Sequence, residues 1–315
     1  MKHLILAAAL APTAVLAQAW DMPTPYGDAV FHTQNISQFA EEVAGSGLDV
    51  TVHSAGSLFP HEEIKGAVRS GQVPAGEFLL SRLSNEDATY GLDAQPFLVT
   101  SYDGARQLWE AQKPVVTELL AAEGLMPLFS VPWPPQGLYT NGEIASVDDL
   151  SGLRFRAYNA QLEEFASLAG AAPVQVEAPD IPQAFATGQV EAMMTSPSTG
   201  VSSTAWDYVT HYTPVNAWIP KNIVVVNKRA FDRLDAEVQQ AVMDAAAAAE
   251  QRGWEMSEAE ADQKTQELAD AGMTVVEPSA ELVSGLQEIG ATMLENLRSG
   301  ASDAALGILD TMPAN

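Results

Sequence analysis

Two arginines stand close together in "SGLRFRAYNA" (151–160). Arg154 and Arg156 are the only Lys or Arg among the 107 residues from Pro114 to Pro220, a stretch holding 11 acidic groups. The whole chain carries a formal charge of −26. Leu153, Phe155 and Ala157 alternate with the arginines, so a strand over 153–158 sends both guanidiniums from one face. Asn159 can open the next helix as its N-cap. Ligands of α/β folds gather at such strand-to-helix junctions. A planar, permanently charged fork placed there suits a carboxylate. The competing reading is a structural ion pair with one of the local acids, and Arg154 could equally keep its head in water over a packed stem.

Aromatic residues form the second cluster. Trp133 stands in "VPWPPQGLY" with Tyr139 close by, Tyr158 follows the arginines, and Trp206, Tyr208, Tyr212 and Trp218 fall within 13 positions. Most such side chains are core. The three prolines of "VPWPP" also fix the backbone beside a tryptophan, as a rigid wall for a flat ligand would require.

Enzyme chemistry finds little support. None of the five histidines lies four residues from another, and "HEEIK" (61–65) lacks the second histidine of a zinc-hydrolase helix. No nucleophile elbow, P-loop or dinucleotide fingerprint occurs. Asp148-Asp149 and Glu163-Glu164 are adjacent pairs, which diverge in a helix or strand and read as solvated charge. Cysteine is absent, which excludes disulfides and thiolate metal sites. The acidity opposes binding to nucleic acid or to anionic lipid. No cofactor and no metal are expected.

The elements that must position these residues alternate along the chain. Strands are predicted over 48–56, 124–133, 153–158, 173–176, 191–196, 221–228 and 273–276, and amphipathic helices over 28–43, 103–123 and 159–169. "PDIPQAFATG" gives a short helix ending at Gly188. This pattern predicts α/β layers with largely parallel sheets. From Asp235 to Ala271 there is no proline and one glycine, Gly253, so a single helix of roughly 55 Å is expected. Two helices broken near Gly253 are the alternative. At the front, Lys2 and His3 precede "LILAAALAPTAVLA", and Ala17-Gln18-Ala19 reads as a small-x-small cleavage site. Residues 1–19 are therefore expected to be an export signal, with a periplasmic mature chain starting near Trp20.

Four ordered stretches resemble the DctP-type solute-binding proteins of tripartite ATP-independent periplasmic (TRAP) transporters. They are "SAGSLFPHEEIKGAVRSGQV" (54–73), "SVDDLSGLRFRAYN" (146–159), "IPQAFATGQVEAMMTS" (181–196) and "HYTPVNAWIPKNIVVVNKRAFDRLDAEVQQAV" (211–242). The resemblance covers essentially the whole mature chain. It implies two α/β lobes about a ligand cleft, with a long helix along both. It also implies capture of an organic carboxylate by a monomer and delivery to TRAP membrane subunits. The last arginine of the family's "D-L-x-G-x-K-x-R" falls on Arg156, which the resemblance makes the carboxylate's partner, while Arg154 replaces a common lysine. Motif position adds Tyr158, Asn159, Trp218 and Asn222 as cleft candidates. Thr195 joins them where the family often has asparagine. Ser81 and Asn85 are expected from the first lobe. With Trp133 foremost among the aromatics, a 2-oxo or aromatic acid is favoured over a sugar acid.

The lobes are expected to comprise 20–142 with 227–272, including the spine helix, and 143–226 with 273–315. Two other functions fit less well. The binding protein of an ATP-driven importer shares the two-lobe logic but does not call for the long helix or "GLRFR". A secreted hydrolase would need convergent acids that the sequence does not show.

Overall fold

A computed structural model describes residues 18–312. The export signal expected at 1–19 lies almost wholly outside the described residues. The first lobe begins with β1 (Gln18–Pro23), α1 (Phe31–Ala44), β2 (Leu48–His53), α2 (His61–Ser70) and β3 (Ala75–Leu79). It continues through α3 (Tyr102–Ala122) into β4 (Leu125–Pro132). The chain then crosses and builds β5 (Gly137–Thr140), β6 (Arg154–Ala157), α4 (Ala160–Leu168), β7 (Ala172–Gln175), α5 (Ile181–Ala186), β8 (Ala192–Thr195), α6 (Pro197–Ser202) and β9 (His211–Thr213). It crosses back as β10 (Lys221–Asn227), followed by α7 (Lys228–Asp232) and α8 (Ala236–Asp270). The last elements are β11 (Thr274–Val275), α9 (Ala280–Gly300) and α10 (Asp303–Leu309).

In the first lobe the sheet order is β3-β10-β4, with the parallel pair β1-β2 packed beside β3. All seven residues of β10, "KNIVVVN", are buried. A strand covered on both faces needs such a continuous apolar run. The second lobe holds a six-stranded sheet, β11-β9-β5-β8-β6-β7. β6 is parallel to both β7 and β8.

The sheets are mixed rather than largely parallel. β10 is antiparallel to β3 and β4, and β5 is antiparallel to β8 and β9. The reason is topological. β4 and β8 end at the cleft, so a strand that arrives from the other lobe starts there and runs the opposite way. β5 and β10 also correct the expected lobe boundaries. β5 belongs to the second sheet although it falls within 20–142, expected in the first lobe, and β10 belongs to the first sheet although it falls almost wholly within 143–226, expected in the second. At the C-terminus α9 packs on α4 of the second lobe, whereas α10 packs on α3 of the first.

The crossover segments 133–136 and 214–220 are hydrogen-bonded to each other. Trp133 N–H donates to Pro220 O (2.8 Å), Gln136 N–H to Trp218 O (3.0 Å) and Ala217 N–H to Gln136 O (3.0 Å). They form one short ribbon between the lobes.

The spine is a single helix. α8 runs unbroken for 35 residues and packs against α1 and β4 on one lobe and α6 and β11 on the other. Gly253 does not break it. A Cβ at that position would lie 2.4 Å from Val131 Cγ2, so the glycine lets the helix approach β4. That close approach outweighs the weak preference of glycine against helix.

Candidate functional site

The C-terminal ends of β6 and β8 face the first lobe across the cleft. Phe155 enters the core, and Arg156 beside it is 3% exposed. Its Nε–H donates to Val176 O (3.0 Å), and its guanidinium lies 5.0 Å from the Tyr158 ring centre. Among the described residues no carboxylate lies within ion-pair distance of it. Burial lowers its pKa from the usual guanidinium value, although an arginine stays charged at neutral pH. Arg154, at the far end of the strand, is different. It is half exposed, pairs with Glu191 (3.1 Å) and donates to Gly188 O (2.7 Å). The structural ion pair that competed with the ligand reading therefore applies to Arg154 and not to Arg156.

Around Arg156 lies a small cavity lined by Tyr26, His61, Trp133, Gln136, Tyr158, Glu177, Thr195 and Thr199, among others. It holds ≈ 40 Å³ of water-accessible space, where one water needs roughly 10–15 Å³. A second cavity of ≈ 160 Å³ adjoins it past Tyr26, Trp133, Ala178 and Thr199.

Trp133 forms a fixed wall. Its Nε1–H donates to Asn222 Oδ1 (2.9 Å), which also accepts from Tyr26 Oη–H (3.1 Å). The Tyr26 ring stands edge-on to it at 4.9 Å, and His32 packs against it at 4.2 Å. Behind this layer His32 Nδ1 lies 3.4 Å from Glu77 Oε1, and Thr24 donates to the other carboxylate oxygen (2.6 Å). On the second lobe Trp218 Nε1–H donates to Tyr158 Oη (3.2 Å), and Tyr158 donates to Gln136 Oε1 (3.2 Å). Gln136 Nε2–H closes the chain on Pro134 O (2.8 Å).

Across the cleft Glu177 accepts from Arg82 Nη1 (2.8 Å) and from His61 Nδ1 (3.2 Å). Leu79 N–H donates to His61 Nε2 (3.0 Å), so the imidazole carries its proton on Nδ1. Burial lowers the His61 pKa, consistent with a neutral ring. Burial alone would raise Glu177. The hydrogen bond from His61 and the charges around it, those of Arg82 and Arg156 included, outweigh burial and hold the carboxyl at about 2. Arg82 Nη1 also donates to Tyr158 O (2.9 Å).

Four of the residues expected from sequence reach the cavity: Arg156, Trp133, Tyr158 and Thr195. Asn222 and Trp218 stand one layer behind and hold Trp133 and Tyr158 in place. Asn159 and Ser81 meet each other rather than the cavity. Asn159 Nδ2–H donates to Ser81 Oγ (2.8 Å) across the lobes, while its Oδ1 caps α4 at Leu162 N (2.9 Å). Asn85 is exposed in the turn after residues 80–83, outside the cavity lining. Tyr26, His61, Gln136, Glu177 and Thr199 were not anticipated. For Glu177 a signal existed: it follows directly on the strand expected at 173–176, whose C-terminal end must face the cleft.

Two sheet-bearing lobes joined by a ribbon and a spine helix, with a buried guanidinium between them that no carboxylate of the described residues pairs, define a solute receptor. The model of the bacterial extracellular solute-binding protein family 7 (DctP) matches residues 17–299, and the chain belongs to that family of TRAP receptors. Among solved structures it is similar to DctP7 of Bordetella pertussis, an extracytoplasmic solute receptor binding pyroglutamic acid. They share 44% identity and a TM-score of 0.92 over 93% of this chain and 99% of that one. DctP6 of the same organism, also binding pyroglutamic acid, gives 42% and 0.91 over 93% and 98%. A marine metagenome TRAP solute-binding protein specific for pyroglutamate gives 37% and 0.91 over the same shares. The C4-dicarboxylate-binding periplasmic protein DctP of Rhodobacter capsulatus is 24% identical, over 81% of this chain and 76% of its own length.

Proposed function

We propose that this chain is a periplasmic receptor that captures a small cyclic carboxylate, pyroglutamate foremost, and hands it to TRAP membrane subunits for uptake. It acts as a monomer and binds without turnover. The observation that carries this reading is Arg156, a buried guanidinium with its Nε fixed and no carboxylate partner among the described residues. Its remaining N–H groups suit a bidentate carboxylate. The ring of the ligand rests on Trp133, and Thr195 offers a hydroxyl to the ring amide. The small cavity favours a compact ring over a sugar acid, and three relatives at 37–44% identity bind pyroglutamate. The 2-oxo and aromatic acids expected from the Trp133 wall are the competing ligands.

Calorimetric titration with pyroglutamate, pyruvate, an aromatic 2-oxo acid and glucuronate tests the reading. Pyroglutamate should bind tightest. Removing one member of a buried charged pair costs about 2–5 kcal/mol, so Arg156→Ala should lose roughly 30-fold to several thousand-fold in affinity. Arg156→Lys should also be poor, because a point charge cannot replace the fork. Arg154→Ala should change little, since its pair is exposed and screened. Binding by Arg156→Ala equal to wild type would overturn the site. Tighter binding of the aromatic acid would overturn only the ligand.

A further inference from the structure

Among the described residues, the cleft brings together two guanidiniums, Arg82 and Arg156, and one carboxylate, Glu177. Arg82 belongs to the first lobe, while Arg156 and Glu177 belong to the second, and here Glu177 bonds to Arg82 and His61 across the gap. Glu177 is also a close neighbour of Arg156. The residue before it, Val176, holds Arg156 Nε through its carbonyl, and both side chains line the same cavity. When the lobes part, Arg82 and His61 withdraw together with the first lobe. The second lobe then offers Glu177 few cations, because Arg154 and Arg156 are the only Lys or Arg from Pro114 to Pro220. Arg154 is already committed to Glu191 and Gly188 O. Arg156 is left, lining the same cavity as Glu177.

We propose that Glu177 is a positioning carboxylate that changes partner as the lobes close. It neutralises Arg156 in the open receptor. It moves to Arg82 and His61 when a ligand carboxylate takes Arg156. The proposal rests on the reading that Arg156 holds the ligand. Counting charges gives the coupling. Closure without ligand buries Arg156 with no carboxylate, which is the costly arrangement. Closure with ligand pairs both guanidiniums, one with the incoming carboxylate and one with Glu177. The receptor therefore closes on a carboxylate and stays open without one. The neutral cross-lobe bonds Asn159–Ser81 and Ser84–Gln161 hold the closed state but cannot sense the ligand's charge.

Two measurements decide this. The chain has no native cysteine, so spin labels at Gln72→Cys and Gln189→Cys, both exposed and on opposite lobes, report the lobe separation alone. Without ligand, the parent protein should show the long distance. Arg156→Gln should shift it to the short one, because Glu177 is released to Arg82 and His61. Adding Glu177→Gln should restore the long distance. A ligand-free parent already closed, or an Arg156→Gln protein as open as the parent, would overturn the proposal. In the second measurement, titration with pyroglutamate, Arg82→Gln should weaken binding at least tenfold by leaving Glu177 on Arg156. Adding Glu177→Gln to Arg82→Gln should recover at least threefold. No recovery would reduce Glu177 to a simple cross-lobe tie and refute the exchange. If the parent protein fails to bind pyroglutamate, the ligand assignment falls, and the ligand-free distances still decide the exchange.

Discussion

Asn222→Leu separates a wall pin from a ligand contact. Asn222 Oδ1 is the acceptor for Trp133 Nε1 at 2.9 Å and Tyr26 Oη at 3.1 Å, and both donors are buried. The substitution leaves two buried donors unpaired, each costing about 1–3 kcal/mol. It also removes Asn222 Nδ2, which is itself buried with no partner, and so returns one such cost. The net loss is about 1–3 kcal/mol of folding stability. For a protein of this size that moves Tm down by roughly 2–6 °C, at about 2 °C per kcal/mol. Affinity should fall less than tenfold, since Trp133 and Tyr26 keep their places in the aromatic layer but lose their fixed tilt. Denaturation melts and calorimetry on the same preparation read both quantities. Unchanged stability with an affinity loss of a hundredfold or more would mean that Asn222 touches the ligand directly, and the pin assignment would be wrong.

Trp133→Ala should weaken a cyclic or aromatic acid more than pyruvate, and equal losses in parallel titrations would mark Trp133 as plain core. Gly253→Ala gains about 1 kcal/mol of helix propensity but forces a methyl against Val131, and overpacking costs about 1–3 kcal/mol. Melts should therefore show no gain or a net loss, and a clear rise in Tm would show that β4 can retreat from the spine. The Glu177 carboxyl is held at about 2, below its ordinary 4.5. The unfolded chain binds the extra proton between those values, so this group's stabilisation is complete above about pH 4.5 and lost as pH falls towards 2. Glu177→Gln should flatten that acid limb in denaturation at stepped pH; an unchanged limb would contradict the pairing of this carboxyl with the guanidiniums of the cleft.

The periodic elements were the most legible in the sequence. The alternation in "LRFRA" and the apolar run in "KNIVVVN" identify β6 and β10, and Asn159 caps α4 as its position suggests. The strands that escape the sequence, β1, β3, β5 and β9, are short or lie beside glycine and proline, and "AGEFL" and "GLYT" offer no period long enough to read. Strand direction and lobe membership were hidden for another reason. They depend on which end of a strand meets the cleft, which only the assembled topology fixes. At the site, charge scarcity pointed to the arginine pair, but Arg154 and Arg156 share a face, and only depth along the strand separates the exposed one from the buried one. Asn159 and Ser81 look like ligand donors by type, yet their hydrogen-bonding capacity is spent on a cap and on each other.

If the lobes turn about the ribbon of 133–136 and 214–220, it also imposes an order of events. Points near a rotation axis sweep short arcs, and Trp133 and Gln136 lie on the ribbon itself, whereas Arg156, Glu177, Thr195 and His61 lie out on the lobes. The flat wall therefore stands ready before the doors swing, and the charged and hydroxyl groups arrive with them. A visiting molecule would then be tried for shape at the hinge post first and for charge only as the leaves come together. The two trials leave separate kinetic traces. Changes to the wall should alter how often an encounter is retained, and changes to the outlying groups should alter how long a captured molecule remains.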